Sequence, residues 1–446
     1  MSFISNEILL LVADNIAHQE DYFRLLRVCR RWHELLFLRA YRRISVSEDQ
    51  IYPLVCCIYS NSKIGAAIQE LNLWWVLKGP KIEYDVEMVK DAVQRACDSP
   101  ADCKKWIDRL RQGNSDAWLA VLVQSLEAVT VLCLDFSIRS SYFIPMLGRA
   151  ATRDPPFDTK PVLQRLKCIT LKTEDNKTAF DASNFLPLFQ LPEMRVFSAH
   201  ALTDAYESFA VYPNPGTSGI RELRLGGTIT RCNGSKGFAN YITACANLEI
   251  LEYQHDNVAI WSQYSGSFQS GAFYTALLTQ KHSLRGLKLN DNGENTTENC
   301  DNDSDDSDDC FNQFGSLAEF HQLTELRIPV RTILQFGHGD RPTVPLLDVL
   351  PPNLEYLHLA DYHKEDSDVI VANLKDVVTQ RTKKFSNLTK IRLQSSELEH
   401  IPQIPRGWRL EVPTHYKQTF ALLQEICREV GIEFCLCKPG WAAVDD

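Results

Sequence analysis

The sequence predicts an α/β chain in three parts. A small helical segment stands at the N-terminus, an irregular array of strand–helix units with a parallel sheet follows, and a capping unit ends the array. Three observations predict it. A phrase of the form polar-Leu-x-x-Leu-x-Leu returns at Asn247 to Tyr253, Ser283 to Leu289, Gln322 to Ile328, Asn353 to Leu359 and Asn387 to Leu393. Helical stretches precede most copies, for example Gly237 to Ala246, Ala272 to Lys281 and Ser367 to Arg381. The first 46 residues instead repeat their apolar positions at helical spacing only. The chain has 446 residues, 44% hydrophobic and 23% charged, enough apolar material for a large core and too much for wholesale disorder.

In the N-terminal segment, Ile8, Leu9, Val12 and Ile16 recur at helical spacing. Tyr22, Leu25, Leu26, Val28 and Cys29 follow, then Trp32, Leu35, Leu36 and Leu38, with a polar break at His18 to Asp21. Two or three short amphipathic helices result. Fewer than about 50 residues enclose little interior, so the apolar excess should meet another chain, the rest of this chain, or both. Residues 47–125 read as a helical bridge and first irregular repeat, 126–407 as the strand–helix array and 408–446 as its cap. No apolar run approaches the roughly 18 residues that span a bilayer. With Glu7 and Asp14 inside the first apolar stretch and no basic start before it, the expected compartment is cytosol or nucleus.

The residues Ile4-Ser5-Asn6-Glu7-Ile8-Leu9, followed by Leu25-Leu26-Arg27-Val28-Cys29-Arg30-Arg31-Trp32, resemble an F-box of fungal type. Tyr41 to Val46 is similar to the end of that motif. Ser5 stands where the family usually has proline, and a serine there suits an N-cap. The resemblance implies docking on the S-phase-kinase-associated adaptor and, through it, on a cullin. By match to the motif, Ile4, Ile8, Leu9, Leu25, Val28, Cys29 and Trp32 would form that interface. Trp32, beside Arg24, Arg27, Arg30 and Arg31, is the hot-spot type of residue, whereas the arginines read as a solvated face.

The array that follows resembles leucine-rich repeats, irregular in length. Looser copies lie at Leu163 to Leu171, Leu191 to Ala199 and Ile220 to Leu225, with earlier ones at Ile68 to Leu73 and Leu126 to Leu134. In a strand reading Leu-x-Leu the leucines point inward, so the middle residue faces an open concave surface. That column is Thr170, Ser198, Arg224, Glu252, Lys288, Arg327, His358 and Arg392, flanked by Lys172, His200, Tyr356, Lys390 and Gln394. One reading is a cross-strand ladder in which Arg224, Glu252 and Lys288 neutralise one another. The other is a basic strip, carried by Lys288, Arg327, Tyr356, His358, Lys390 and Arg392, that binds an acidic or phosphorylated protein segment. The tract Asp291 to Cys310 holds nine acids and no base, and with it set aside the formal charge of -10 nearly vanishes. Such a tract cannot bury enough apolar surface to fold, and it could compete with substrate for the strip.

Catalytic motifs are missing. There is no G-x-x-x-x-G-K-[ST], no H-E-x-x-H and no G-x-S-x-G; Gly234-Ser235-Lys236-Gly237 has the wrong spacing for a phosphate loop, and Gly337-His338-Gly339-Asp340 reads as a turn. The cysteines include no C-x-x-C pair and read as reduced, buried small apolar residues. No metal or cofactor is expected, and the column lacks the interleaved aromatics of a nucleic-acid platform. Three function classes compete. The leading one is a substrate receptor of an adaptor–cullin ubiquitin ligase. The others are a scaffold that binds the adaptor without a cullin, and a repeat-based GTPase regulator.

Overall fold

A computed structural model describes residues 4–16, 18–74, 84–97, 99–135, 140–155, 157–173, 179–204, 213–226, 232, 234–255, 268–290, 313–336, 342–395 and 414–437. The acidic tract, the Gly337 to Asp340 turn and the first residues of the expected cap, 408–413, lie outside these residues. The chain divides into two compact units: residues 1–175 with 184–197, and residues 176–183 with 198–446.

The first unit opens with three helices, α1 (Asn6–Asp14), α2 (Gln19–Leu25) and α3 (Arg30–Ala40). Ser5 is the N-cap of α1, its hydroxyl accepting from Ile8 N at 3.4 Å, which is the role its position in the motif suggested. The sheet starts at β1 (Arg43–Ser47), so the end of the N-terminal motif is already a strand. Parallel partners β2 (Glu70–Trp74), β3 (Val131–Asp135) and β4 (Cys168–Lys172) follow in chain order. The connections carry α4 (Ile51–Ser60), α5 (Ser62–Ala67), α6 (Lys90–Ala96), α7 (Pro100–Arg111), α8 (Ser115–Gln124) and α9 (Phe143–Thr152). Helix α8 is buried along its length because Ala117 to Val123 is apolar all round, and Asn114 caps it by accepting from Ala117 N at 2.9 Å.

The second unit holds the clearest copies of the repeated phrase. A two-residue pair, β5 (Phe180–Asp181) with β7 (Leu202–Thr203), flanks β6 (Val196–Ala199) in sequence. Parallel strands then run in chain order: β8 (Glu222–Leu225), β9 (Ile250–Gln254), β10 (Gly286–Asn290), β11 (Glu325–Pro329), β12 (Tyr356–Tyr362), β13 (Lys390–Ser395) and β14 (Glu433–Cys437). Between them lie α10 (Ala239–Ala244), α11 (Ser270–Leu278), α12 (Val330–Leu334), α13 (Leu346–Val349), α14 (Ser367–Thr379), α15 (Arg381–Lys384) and α16 (Thr414–Glu429).

The inward leucines behave as the phrase requires. Leu251, Leu287, Leu289, Leu326, Leu357, Leu359, Ile391 and Leu393 are all fully buried. Helix α10 is shorter than the Gly237 to Ala246 stretch expected from sequence, because Gly237 and Phe238 both adopt left-handed backbone (φ 60 and 53) and delay the first helical turn. A side chain at Gly237 would lie 2.3 Å from the Phe273 ring, so only glycine fits there. Neighbouring repeats are also joined through a buried amide. Gln280 donates to the carbonyls of Ile242 (3.1 Å) and Cys245 (2.9 Å) and accepts from Leu248 N (2.9 Å), satisfying backbone groups where the chain turns into β9. At the far end, Phe420, Leu423 and Cys427 of α16 are buried, and Phe420 meets Tyr362 edge-on at 5.6 Å, closing the last repeat.

Candidate functional site

Register places the column as a continuous row. Arg224 lies opposite Glu252, Glu252 opposite Lys288, Lys288 opposite Arg327, Arg327 opposite His358 and His358 opposite Arg392. Beyond Arg392 the row continues to Cys435 of β14. Ser198 belongs to the same unit, whereas Thr170 stands in the first unit beside Cys133.

The row is not a uniform basic strip. Lys288 Nζ sits 2.8 Å from Glu252 Oε1, and Lys390 Nζ is 3.1 Å from Glu433 Oε1, so both lysines are neutralised in place. Arg224 turns back to Glu222 of its own strand at 2.9 Å, leaving the expected three-member ladder a single pair. The expectation of an open face also needs correction, because Arg327 and His358 are each only 7% exposed. Arg327 Nη2 donates to Gln394 Oε1 at 3.0 Å, and Gln394 is itself buried. Burial pulls the Arg327 guanidinium below its usual range, with the Asp361 carboxylate opposing that pull.

His358 is held neutral. Burial, then the positive charges of Arg327 and Arg392, lower its pKa to about 3. The Tyr356 hydroxyl lies 3.4 Å from its Nδ1, and Cys437 Sγ lies 3.9 Å from its Nε2. Burial pushes the Cys437 thiol up to about 11. At neutral pH the neighbours are therefore a thiol and a neutral imidazole, the opposite of an activated thiolate–imidazolium couple. The arrangement has no activated nucleophile. Arg392 is half-buried and, unlike the two lysines, forms no ion pair among the described residues: its guanidinium stacks over the Tyr356 ring at 5.7 Å, and its Nε is buried without a hydrogen-bond partner.

Cys437 was not singled out from sequence for this face. The Cys435-x-Cys437 spacing, with period two on the last strand, was the signal that could have found it, since it puts both thiols on the side of Arg392 and Gln394.

The N-terminal helices present a second surface. Ile4, Ile8, Leu11, Val12, Val28 and Leu38 are exposed, and they are six of the eight large hydrophobic residues exposed among the described residues. Cys29 is also exposed, and Leu25 and Trp32 are half-buried. Leu9 turns inward and is buried with Ala13 and Leu36, so it belongs to the interior of the helices. The arginines are not all a solvated face. Arg31 donates to Ile4 O at 2.6 Å and to Asn6 Oδ1 at 2.7 Å, and Arg39 donates to Leu10 O at 3.0 Å, so two residues of α3 clasp α1. Arg24 and Arg30 do remain on the surface, in pairs with Asp21 and Glu34.

The cysteine expectation holds in part. All twelve described cysteines are free, but only Cys232, Cys245 and Cys427 are buried, while Cys29 and Cys57 are exposed. No helix among the described residues is long and apolar enough to cross a membrane.

A comparison with curated proteins returns no match. The family comparison does: the description "Leucine-rich repeat domain" fits residues 81–400, more than two thirds of the chain. Parallel strands in chain order, with buried apolar residues at alternate positions and helices between them, are what that match requires, and the chain belongs to the leucine-rich repeat family.

Proposed function

We propose that the chain is the substrate-recognition subunit of an adaptor–cullin–F-box ubiquitin ligase. In this reading α1 to α3 dock the adaptor and the repeats bind a protein target. The observation that carries it is the concentration of exposed apolar side chains on three short helices and the turns beside them. Ile8, Val12 and Val28 are 52, 54 and 64% exposed, on a segment too small to need so much apolar surface for itself. A surface of this kind is suited to a partner, and the resemblance of these residues to an F-box supports reading that partner as the adaptor. The family itself supports the coarser half, since leucine-rich repeats are protein-interaction modules. On the repeats, Arg392 with Tyr356 and Lys390 offers a cation, a stacked ring and a polar rim suited to an acidic or phosphorylated segment. The contribution to ubiquitin transfer is proximity and orientation of the bound target.

Affinity purification of the full chain tests both halves. Val28→Asp leaves the fold intact because Val28 is exposed, and it should remove adaptor and cullin while targets remain. Arg392→Glu should do the reverse. Retention of adaptor and cullin by Val28→Asp would sink the reading; adaptor without cullin in the wild type would favour the scaffold instead.

A further inference from the structure

The first unit contains a cleft of about 460 Å³, within the range of roughly 300–1,000 Å³ typical of small-molecule sites. It lies where the end of α4, the end of α8 and the loop Lys160 to Arg165 converge, with Arg95 of α6 at one side. None of these residues belongs to the column or to the N-terminal apolar surface.

Its lining is chemically lopsided. Arg95, Lys160 and Arg165 face a single acid, Glu127, and none of the three cations forms an ion pair among the described residues. The apolar part is made by Ile58, Leu126 and Leu163, all buried beneath the surface. Gln124 supplies an independent observation. It is 6% exposed, its Nε2 donates to Ala120 O at 3.2 Å, and its Oε1 has no hydrogen-bond partner. A buried amide oxygen left without a donor is costly, and a ligand donor would remove that cost.

The walls are held in place by the fold. Gly65 lets α5 abut the end of α8, since a Cβ there would lie 2.7 Å from Ser125 O. Leu163 takes left-handed backbone (φ 60) while its side chain is buried, and Leu166 N closes the turn on Leu163 O at 3.0 Å. The rim that carries Lys160 and Arg165 is therefore anchored from inside.

We infer that this cleft binds a small organic anion: a phosphate monoester or carboxylate for the three cations, an apolar body for Ile58, Leu126 and Leu163, and an N–H or O–H donor for Gln124. Titration calorimetry of the full chain with 4-hydroxyphenyl phosphate, 4-hydroxybenzoate and inorganic phosphate tests it. At least one aromatic anion should bind saturably, with a Kd on the order of 1 mM or tighter, and which of the two binds tighter assigns phosphate or carboxylate. The Arg95→Ala, Arg165→Ala double variant should weaken that binding by about tenfold or more. Gln124→Leu should raise the melting temperature of the unliganded chain and abolish the preference for the hydroxylated probe over its analogue without the hydroxyl. No saturable binding up to about 10 mM, equal affinity for inorganic phosphate and the aromatic anions, or binding untouched in the double arginine variant would each overturn the inference.

Discussion

The two units build the same kind of parallel ladder and differ at one register position. In the first unit the residue between two inward apolar neighbours is Ser45, Asn72, Cys133 and Thr170, small and uncharged, with Asn72 Nδ2 only 3.4 Å from Ser45 Oγ. In the second unit the same position, between the uncharged Ser198 and Cys435 at its two ends, holds Arg224, Glu252, Lys288, Arg327, His358 and Arg392. Strand pairing is carried by backbone groups and by inward side chains, so the outward column is free to vary without changing the ladder. Charge was placed in one run only, and that is where recognition is to be sought.

If the inward residues alone define the ladder, equivalent losses should cost equal amounts in both units. Leu132 of β3 and Leu357 of β12 are both fully buried. Replacing either by alanine should cost about 2–5 kcal/mol, read from the shift of a urea unfolding curve. A cost at Leu357 below about 1 kcal/mol would mean that the charged column, not the leucine interior, holds the second unit together.

The next difference is titration in the acid range, where the small column of the first unit holds no ionisable group other than the Cys133 thiol, which burial pushes up and away from that range. His358 titrates at about 3 in the fold, against an ordinary value of 6.5. Between those values the unfolded chain binds the extra proton, so stability rises with pH. The contribution is complete above about pH 6.5, is lost as pH falls, and falls no further below about pH 3. Relative to His358→Asn, the wild type should lose on the order of a few kcal/mol between pH 7 and 4, followed by chemical denaturation at each pH. Parallel curves for the two proteins would show that the imidazole takes up its proton in the fold as readily as in the unfolded chain.

These residues also mark the limit of what the sequence disclosed. The ladder was legible because Leu-x-Leu has a period of two, and the N-terminal helices because Ile8, Leu9, Val12 and Ile16 have a period near four. The column was legible for the same reason, since register follows once the leucines are aligned. Burial at Arg327 and His358 was not, because it depends on what packs above a strand rather than along it. Nor was the cleft of the first unit: Ile58, Arg95, Gln124 and Arg165 lie far apart in sequence and no local pattern joins them. The clasp of Arg31 on Ile4 O was not legible either, because backbone acceptors leave no mark in a side-chain pattern.

A smaller effect is expected at Arg327. Arg327→Met keeps much of the volume but leaves the Gln394 oxygen without this donor, so it should cost about 1–3 kcal/mol. Adding Gln394→Leu should recover most of that loss, because an apolar pair can replace a buried polar one with little net change. If the double variant is no more stable than the single one in a mutant cycle, Arg327 is held by contacts other than Gln394.

The smallest effect belongs to the pair that most resembles a ladder. The Lys288 and Glu252 side chains are 37% and 17% exposed and 2.8 Å apart. A half-solvated pair of this kind gives back most of its Coulomb attraction in lost hydration and side-chain freedom, so Lys288→Met should cost less than about 1 kcal/mol, and less again at high salt. Its value lies in what it does to binding. Removing the lysine leaves Glu252 unbalanced, but Arg392 stands three strands further along the row, so the change in field there is that of one screened, distant charge. Capture of an acidic target should therefore survive Lys288→Met and fail with Arg392→Glu. Equal loss in both would spread recognition along the whole column, and the neutralised pair would then have to open when the target binds.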